Sequence, residues 1–466
     1  MSVVRPIPPT DPIGYDCSAA ISCGAISIQR LAAISGKLEQ ARRETLEDLD
    51  RWRAGGRRPE GVLDPAFIDL PDRLLADYGS TRPTSELFAI LTTARRIRLA
   101  VDRVIMLGVG GASLGSRALF AACCHPFHND LSRGERGGRP RLSFEGFAID
   151  NDRAQGLLDI VAPHASTLAI ESGGDLLDRW AIVLASKGGC AVEMAVATRL
   201  FLQSLLASVG GDRQRLAELV VPISGATGRL ADLARAIGCP DIFQIPDGVG
   251  EYFSVFTAVG ILPSAIVGID VVRLLEGAAA MNRRFREAPV PENPVLQYVG
   301  VSHLAEVEWG ATTRLLACWS NRLESVGQWY AHLLKESLGH VSGKVPLTFV
   351  ATGDFDLQGQ LQPAGRRDKM ITHLIVGEPR RDRLFIPSLG GIIDNADQLD
   401  DFVGRTWPEM LATQAADSRE ALTLDNRPTA DILLPRVDEH AIGQLLQMLM
   451  LATVVEGRLI GVHPYR

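Results

Sequence analysis

Two stretches of this chain combine a glycine-rich turn with groups able to hold an anion, and a third supplies a carboxylate able to move a proton. In Val104–Phe120, an apolar run ends in Gly108, Gly110 and Gly111, and helix-forming residues follow. That order reads as strand, tight turn, helix, with the free N–H groups of the helix N-terminus facing whatever sits above the sheet. Residues 180–194 repeat the pattern, with Ser186 and Lys187 at the turn and Gly188 and Gly189 after them. There a hydroxyl and an ammonium add to the backbone donors. The first turn is not a dinucleotide fingerprint, because Ser113 stands where its last glycine belongs, nor does it end in the Gly-Lys-Ser/Thr of a P-loop. The carboxylate is Glu336, which helical spacing places on one face with Trp329, His332 and Leu333. A carboxylate beside apolar neighbours holds its proton more tightly, as a general base requires. Asp247-Gly-Val-Gly-Glu-Tyr forms a further glycine turn.

The elements that must position these groups alternate. Strands are expected at 142–148, 166–171, 180–186, 218–224 and 241–245, with helices at 191–209 and 227–237 between them. The alternation predicts an α/β fold with a parallel, doubly wound sheet. A second set follows: helices over 270–286, 297–311 and 322–338, and strands over 313–319, 346–352 and 371–376. The stretch from Asp438, a good N-cap, to Gly457 is apolar almost all round and predicts a helix buried between other elements. Residues 31–53 carry Leu31, Ile34, Leu38, Leu49 and Trp52 on one stripe and predict an amphipathic covering helix. The Arg- and Gly-rich 129–141 reads as an exposed connector.

Composition excludes several classes. The 466 residues carry a net charge of −7 and 46% hydrophobic residues, which suits a soluble globular protein of two or three domains. There is no basic stripe for nucleic acid, no apolar run of membrane-spanning length and no signal-peptide pattern. Seven cysteines, an odd and scattered set without a C-x-x-C pair, fit reduced thiols in the cytoplasm. No metal spacing emerges; Cys123, Cys124, His125 and His128 are the nearest grouping, and no cofactor is implied.

Taken together, these stretches resemble the glucose-6-phosphate isomerase family. GVGGASLG at 108–115 is similar to its GIGGS-x-LG, and SKGGCAVE at 186–193 to SKSGTTxE. PDGVGEYFSVFTAVGILP at 246–263 resembles GDxVGGRFSVxSxVGLLP, and RLESVGQWYAHLLKESLGH at 322–340 resembles the Q-Trp-Tyr-x-Q-x-x-x-ESLGK region. GQLQPAGRRDK at 359–369 is similar to the stretch that follows the bacterial DLHS. The resemblance implies two sugar-isomerase α/β/α sandwiches, near 85–268 and 269–466, with residues 1–84 as a helical segment packed on the second. It also implies a homodimer and a sugar-phosphate ligand.

It further implies which positions would act. The family interconverts an aldose and a ketose phosphate through a cis-enediol, and its base falls on Glu336. Gly110, Gly111, Ser186 and Lys187 fall on phosphate-holding positions. Other positions depart: Ala112 replaces a serine, Gly188, Cys190 and Ala191 replace hydroxyl-rich neighbours, and Glu251-Tyr252 replaces Gly-Arg. His332 stands for a glutamine and His340 for a lysine. Ungapped alignment puts Asp356 at the position of the family histidine, and a shifted one puts Gln358 there. The family's C-terminal glutamine and lysine find no counterpart before Arg466. Three readings stay open: an ordinary isomerase, a non-catalytic relative that binds a sugar phosphate weakly or a partner, and an enzyme for a less anionic sugar.

Overall fold

The computed structural model describes residues 11–55, 64–161, 176–189, 191–339, 347–350, 367–392, 395–463 and 465. The strand expected at 166–171, together with Cys190, His340, Asp356 and Gln358, lies outside them.

Two five-stranded sheets organise the chain. The first runs in the order β3-β2-β4-β5-β6, where β2 is Arg103–Gly108, β3 Arg141–Glu145, β4 Trp180–Ser186, β5 Val220–Ser224 and β6 Phe243–Gln244. All four pairings are parallel. The strands are near-continuous apolar runs, as burial on both faces demands; β4 is buried from Trp180 to Ala185. Chain order reverses between β2 and β4, whose ends lie in register at Gly108 and Ala185. At such a switch point the connections leave towards opposite faces and a crevice opens beyond the strand ends. Both glycine turns therefore come to one place.

The second sheet runs β1-β10-β9-β7-β8, with β7 at Thr313–Cys318, β8 at Leu347–Val350, β9 at Lys369–Glu378 and β10 at Thr429–Arg436. Its inner pairings are parallel. Strand β1, Gly14–Asp16, closes the β10 edge antiparallel, so the N-terminal segment contributes a strand as well as helices. Next to it the Ile13 N–H donates to Gln444, 431 positions away.

The helix Glu439–Leu459 is buried from Glu439 to Gly457, as its all-round apolar surface predicts, and Asp438 caps it by accepting from the Ala441 N–H. It crosses the helix Val271–Glu287 so closely that a Cβ on Gly277 would lie 2.0 Å from the His440 carbonyl oxygen, and one on Gly443 2.0 Å from that of Leu274. No side chain fits at either position. The amphipathic stripe at 31–53 becomes two helices, Ile28–Ala33 and Ser35–Arg53, that bury Leu31, Leu38 and Leu49.

The Arg-rich 129–141 is not a free connector. Asp102, fully buried just before β2, accepts from Arg133 at 2.8 Å, from Arg136 at 2.5 Å and from Arg141. The arginines that made the segment look solvated instead pin it to the sheet.

Candidate active site

The first turn is shaped by what lies on it. Gly110 has φ 56° and ψ −130°, a backbone that L side chains resist, and it precedes the helix Gly111–Cys123. A Cβ on Gly111 would come within 2.5 Å of the Glu251 carbonyl oxygen, so the 248–256 turn lies directly on the helix start. At Gly110 the corresponding point is 3.4 Å from Glu251 Oε1 and 3.5 Å from the Tyr252 hydroxyl. Both side chains thus stand over the first glycine turn, and Ala112 beneath it is buried.

The second turn is turned inward on itself. The Ser186 hydroxyl accepts from the Gly189 N–H at 2.9 Å, and the Lys187 carbonyl accepts from the Gly225 N–H at 3.0 Å. Gly188 packs against Gly228, whose Cβ would lie 3.1 Å from the Gly188 oxygen. Ala191 stands at the N-cap of the helix Val192–Ser208 and offers no side-chain cap. Lys187 sends its ammonium to the Val249 carbonyl, 3.0 Å away, towards the turn that bears Glu251.

From the other sheet comes the helix Glu324–Leu334, which packs on Gly111–Cys123 and continues as a π-helical turn, Lys335–Gly339. The regular helix expected over 322–338 therefore widens at Glu336, a distortion frequent at functional positions. Trp329 and Leu333 are buried, whereas the Glu336 side chain remains 35% exposed, 3.9 Å from Lys335 Nζ. The His332 ring lies 5.4 Å from that of Tyr252 at 49°.

Charge in this space is lopsided. Burial pushes the Glu251 carboxyl up; Lys187 pulls it back and Glu336 pushes it further. Burial, then Glu336 and Glu251, push the Tyr252 phenol up to about 12, so it stays a neutral donor at neutral pH. Burial lowers His332, which keeps its ring neutral, with Glu336 opposing. Asp64, a group that sequence reasoning missed, reaches the same region: its Oδ2 is 3.6 Å from where a Gly250 Cβ would be, and its buried Oδ1 has no hydrogen-bond partner among the described residues. Burial raises its carboxyl, Lys187 lowers it and Asp247 raises it. Nothing local in the sequence signals Asp64; the bridge between Pro65 and Val249 brings it in.

The structure therefore gathers Gly110, Gly111, Glu251, Tyr252, His332 and Glu336, and sets Lys187 among the carboxylates. Among the described residues no group of three or more His, Cys, Asp or Glu could hold a metal ion. The arrangement can offer a partly exposed carboxylate as a base and a neutral phenol as a hydrogen-bond donor, with the Lys187 ammonium for negative charge.

A pH-dependent stability follows from Glu251. Its folded-state pKa lies above the unfolded value, so the folded form favours the protonated carboxyl, and stability is lost as pH rises through that interval. Glu251→Gln is expected to melt at a higher temperature than the unaltered chain at neutral pH. The gap should close as pH falls to about 4, near the ordinary glutamate pKa. Calorimetric scans across that range check it; a gap independent of pH would contradict it.

The family model for phosphoglucose isomerase matches residues 177–354. A glucose-6-phosphate isomerase of Rubrobacter xylanophilus is 32% identical over 448 residues, 95% of this chain and 91% of that protein. The chain belongs to the glucose-6-phosphate isomerase family. Another family member, from Bacillus cytotoxicus, is 31% identical over 82% of this chain and 80% of its own. Among solved structures, a hypothetical protein of Thermus thermophilus superposes with a TM-score of 0.77 at 25% identity, covering 97% of this chain and 96% of that one. A glucose-6-phosphate isomerase from Chlamydia trachomatis gives 0.72 at 17% identity, over 95% and 83%, which speaks to the fold alone. The segment matched by the family model includes the second glycine turn, the Glu251-Tyr252 pair and Glu336.

Proposed function

We propose that this chain is a glucose-6-phosphate isomerase relative with strongly attenuated turnover of sugar phosphates, Glu336 being its residual base. The observation that carries this reading is the Glu251 carboxylate and Tyr252 phenol over Gly110, where the family resemblance expects a glycine and an arginine. A neutral phenol stabilises an enediolate less than a guanidinium does, and loss of one such donor lowers rate on the order of 10²–10³-fold. In a coupled assay, fructose 6-phosphate turnover is expected at least about 10²-fold below that of an ordinary family member, and Glu336→Gln removes what remains. An ordinary kcat/KM overturns the reading.

A second reading draws on the carboxylates. Glu251 and Asp64 beside the Lys187 ammonium, with Glu336 near Glu251, suit an uncharged sugar better than a phosphate dianion. The same assay with unphosphorylated fructose separates the two: turnover above that of fructose 6-phosphate favours the second.

We also propose a homodimer in the cytoplasm. Supporting assembly, the segment from Leu384 to Trp407 turns apolar side chains outward, with Phe385 65%, Ile392 78% and Trp407 65% exposed. Supporting the compartment, six described cysteines are unpaired thiols, and no helix among the described residues is long and apolar enough to cross a membrane. Sedimentation at micromolar concentration is expected to give about twice the 50.3 kDa chain mass; a single-chain mass overturns the dimer.

A further inference from the structure

Beyond the glycine turns, the first sheet carries a second concavity at its β3 edge. A cleft of about 610 Å³ opens between the helices Gly111–Cys123 and Asn151–Val161 and the start of Glu324–Leu334. That size is typical of small-molecule sites. Phe120, Leu157 and Ile160 give it apolar walls, and Ser325 and Gln328 supply polar groups from the helix that also carries His332.

Two arginines line it, and they differ. Arg153 donates to Glu145 at 2.8 Å and to the Phe144 carbonyl at 3.1 Å, so its charge is matched. Arg117 makes no hydrogen bond or ion pair among the described residues. Its guanidinium stacks 4.0 Å from the Phe147 ring centroid and 5.5 Å from that of Phe144, with Arg153 5.0 Å from Phe147 as well. Burial and the nearby Arg153 hold Arg117 below the usual arginine pKa against the pull of Glu145, whose carboxylate is bonded to Arg153, so Arg117 is short of counter-charge. Aromatic faces offset only part of that shortfall.

We propose that this cleft binds a small organic carboxylate, one negative charge carried on a flat apolar body. Arg117 presents the planar fork that a carboxylate fills with two hydrogen bonds. Glu145 already neutralises Arg153, so the cleft has one positive charge to match, which disfavours a phosphate dianion. The apolar body then lies on Phe120, Leu157 and Ile160. Because Ser325 and Gln328 belong to the opposite half of the chain, the occupant touches both halves, one helical turn from His332.

The test uses the full chain with benzoate as probe, followed by saturation-transfer NMR. Binding in the millimolar range or tighter is expected, ~4 kcal/mol or more of free energy being within reach of one such pair and a buried ring. Arg117→Gln is expected to weaken it at least ~10-fold. Ile160→Glu, at a side chain 57% exposed and so tolerant of change, is expected to weaken it likewise by setting a carboxylate on the wall. Lys187→Met is expected to leave the affinity within about twofold, and inorganic phosphate to compete poorly. Absence of binding, indifference to both cleft substitutions, loss on Lys187→Met, or strong competition by phosphate each overturns the proposal. The fructose 6-phosphate assay is independent of all four.

Discussion

Asp102→Ala is expected to lower folding stability by about 3–5 kcal/mol, the usual effect of removing one partner from a buried charge cluster. Asp102 and the Arg136 guanidinium are both fully buried, and Arg133 and Arg141 converge on the same carboxylate. Without it, Arg136 keeps hydrogen bonds to the Leu131 and Arg139 carbonyls but loses its counter-charge inside the protein. Arg141, which loses its side-chain partner, is the first residue of β3 and pairs with Arg103 of β2, so the effect should reach the β2–β3 pairing. Urea unfolding followed by circular dichroism measures it. Asp102→Asn keeps the shape and some hydrogen bonds, and should fall between the two. A loss below about 1 kcal/mol for the alanine variant would reduce the cluster to the standing of a surface ion pair.

The second large effect runs the other way. Glu251→Gly with Tyr252→Arg is expected to raise turnover of fructose 6-phosphate on the order of 10²-fold and to tighten binding of a sugar phosphate roughly 10–100-fold. The first change removes a carboxylate that stands over Gly110. A unit charge about 5 Å from a phosphate is worth roughly 3 kcal/mol at an effective dielectric of 20, and partial exposure of Glu251 reduces that figure. The second replaces a neutral phenol by a guanidinium where enediolate charge would develop. Calorimetric titration with 6-phosphogluconate and the coupled assay read the two gains separately. If neither rises, this pair does not limit turnover or sugar-phosphate binding. Adding Glu336→Gln to the double variant should abolish the gain in rate and leave most of the gain in binding.

What could be read from the residues, and what could not, divides along physical lines. The glycine turns were legible because a positive φ at Gly110 and a 2.5 Å approach at Gly111 leave almost no other residue type possible. The buried helix Glu439–Leu459 was legible because its cap and its apolar circumference are both local properties. Strand β1 was not: three residues have no periodicity, and Gly14–Asp16 is extended only because β10 offers it an open edge. Strand β10 and the helix Trp407–Leu424 likewise fell outside every expectation. The orientation of Glu251 was undecidable from sequence, since it follows from how the 248–256 turn lies on Gly111. At 129–141 composition gave the exposure of much of the segment but not its anchoring, since Asp102, many positions earlier, supplies the buried counter-charge for Arg133, Arg136 and Arg141. The π-helical turn at Glu336 has no signature in KESLG itself.

The edge strand β1 also constrains how the molecule is made. Gly14–Asp16 is made well before its partner β10, Thr429–Arg436, with the whole first sheet between them. The strand therefore stays unmatched until β10 is made, while the first sheet, complete by Gln244, is free to form. Loop closure over such a span adds little to the equilibrium cost yet slows the search. Synthesis in this order is expected to favour the half with the glycine turns first and the half with Glu336 only once β10 has emerged, so the two sides of the crevice are joined late.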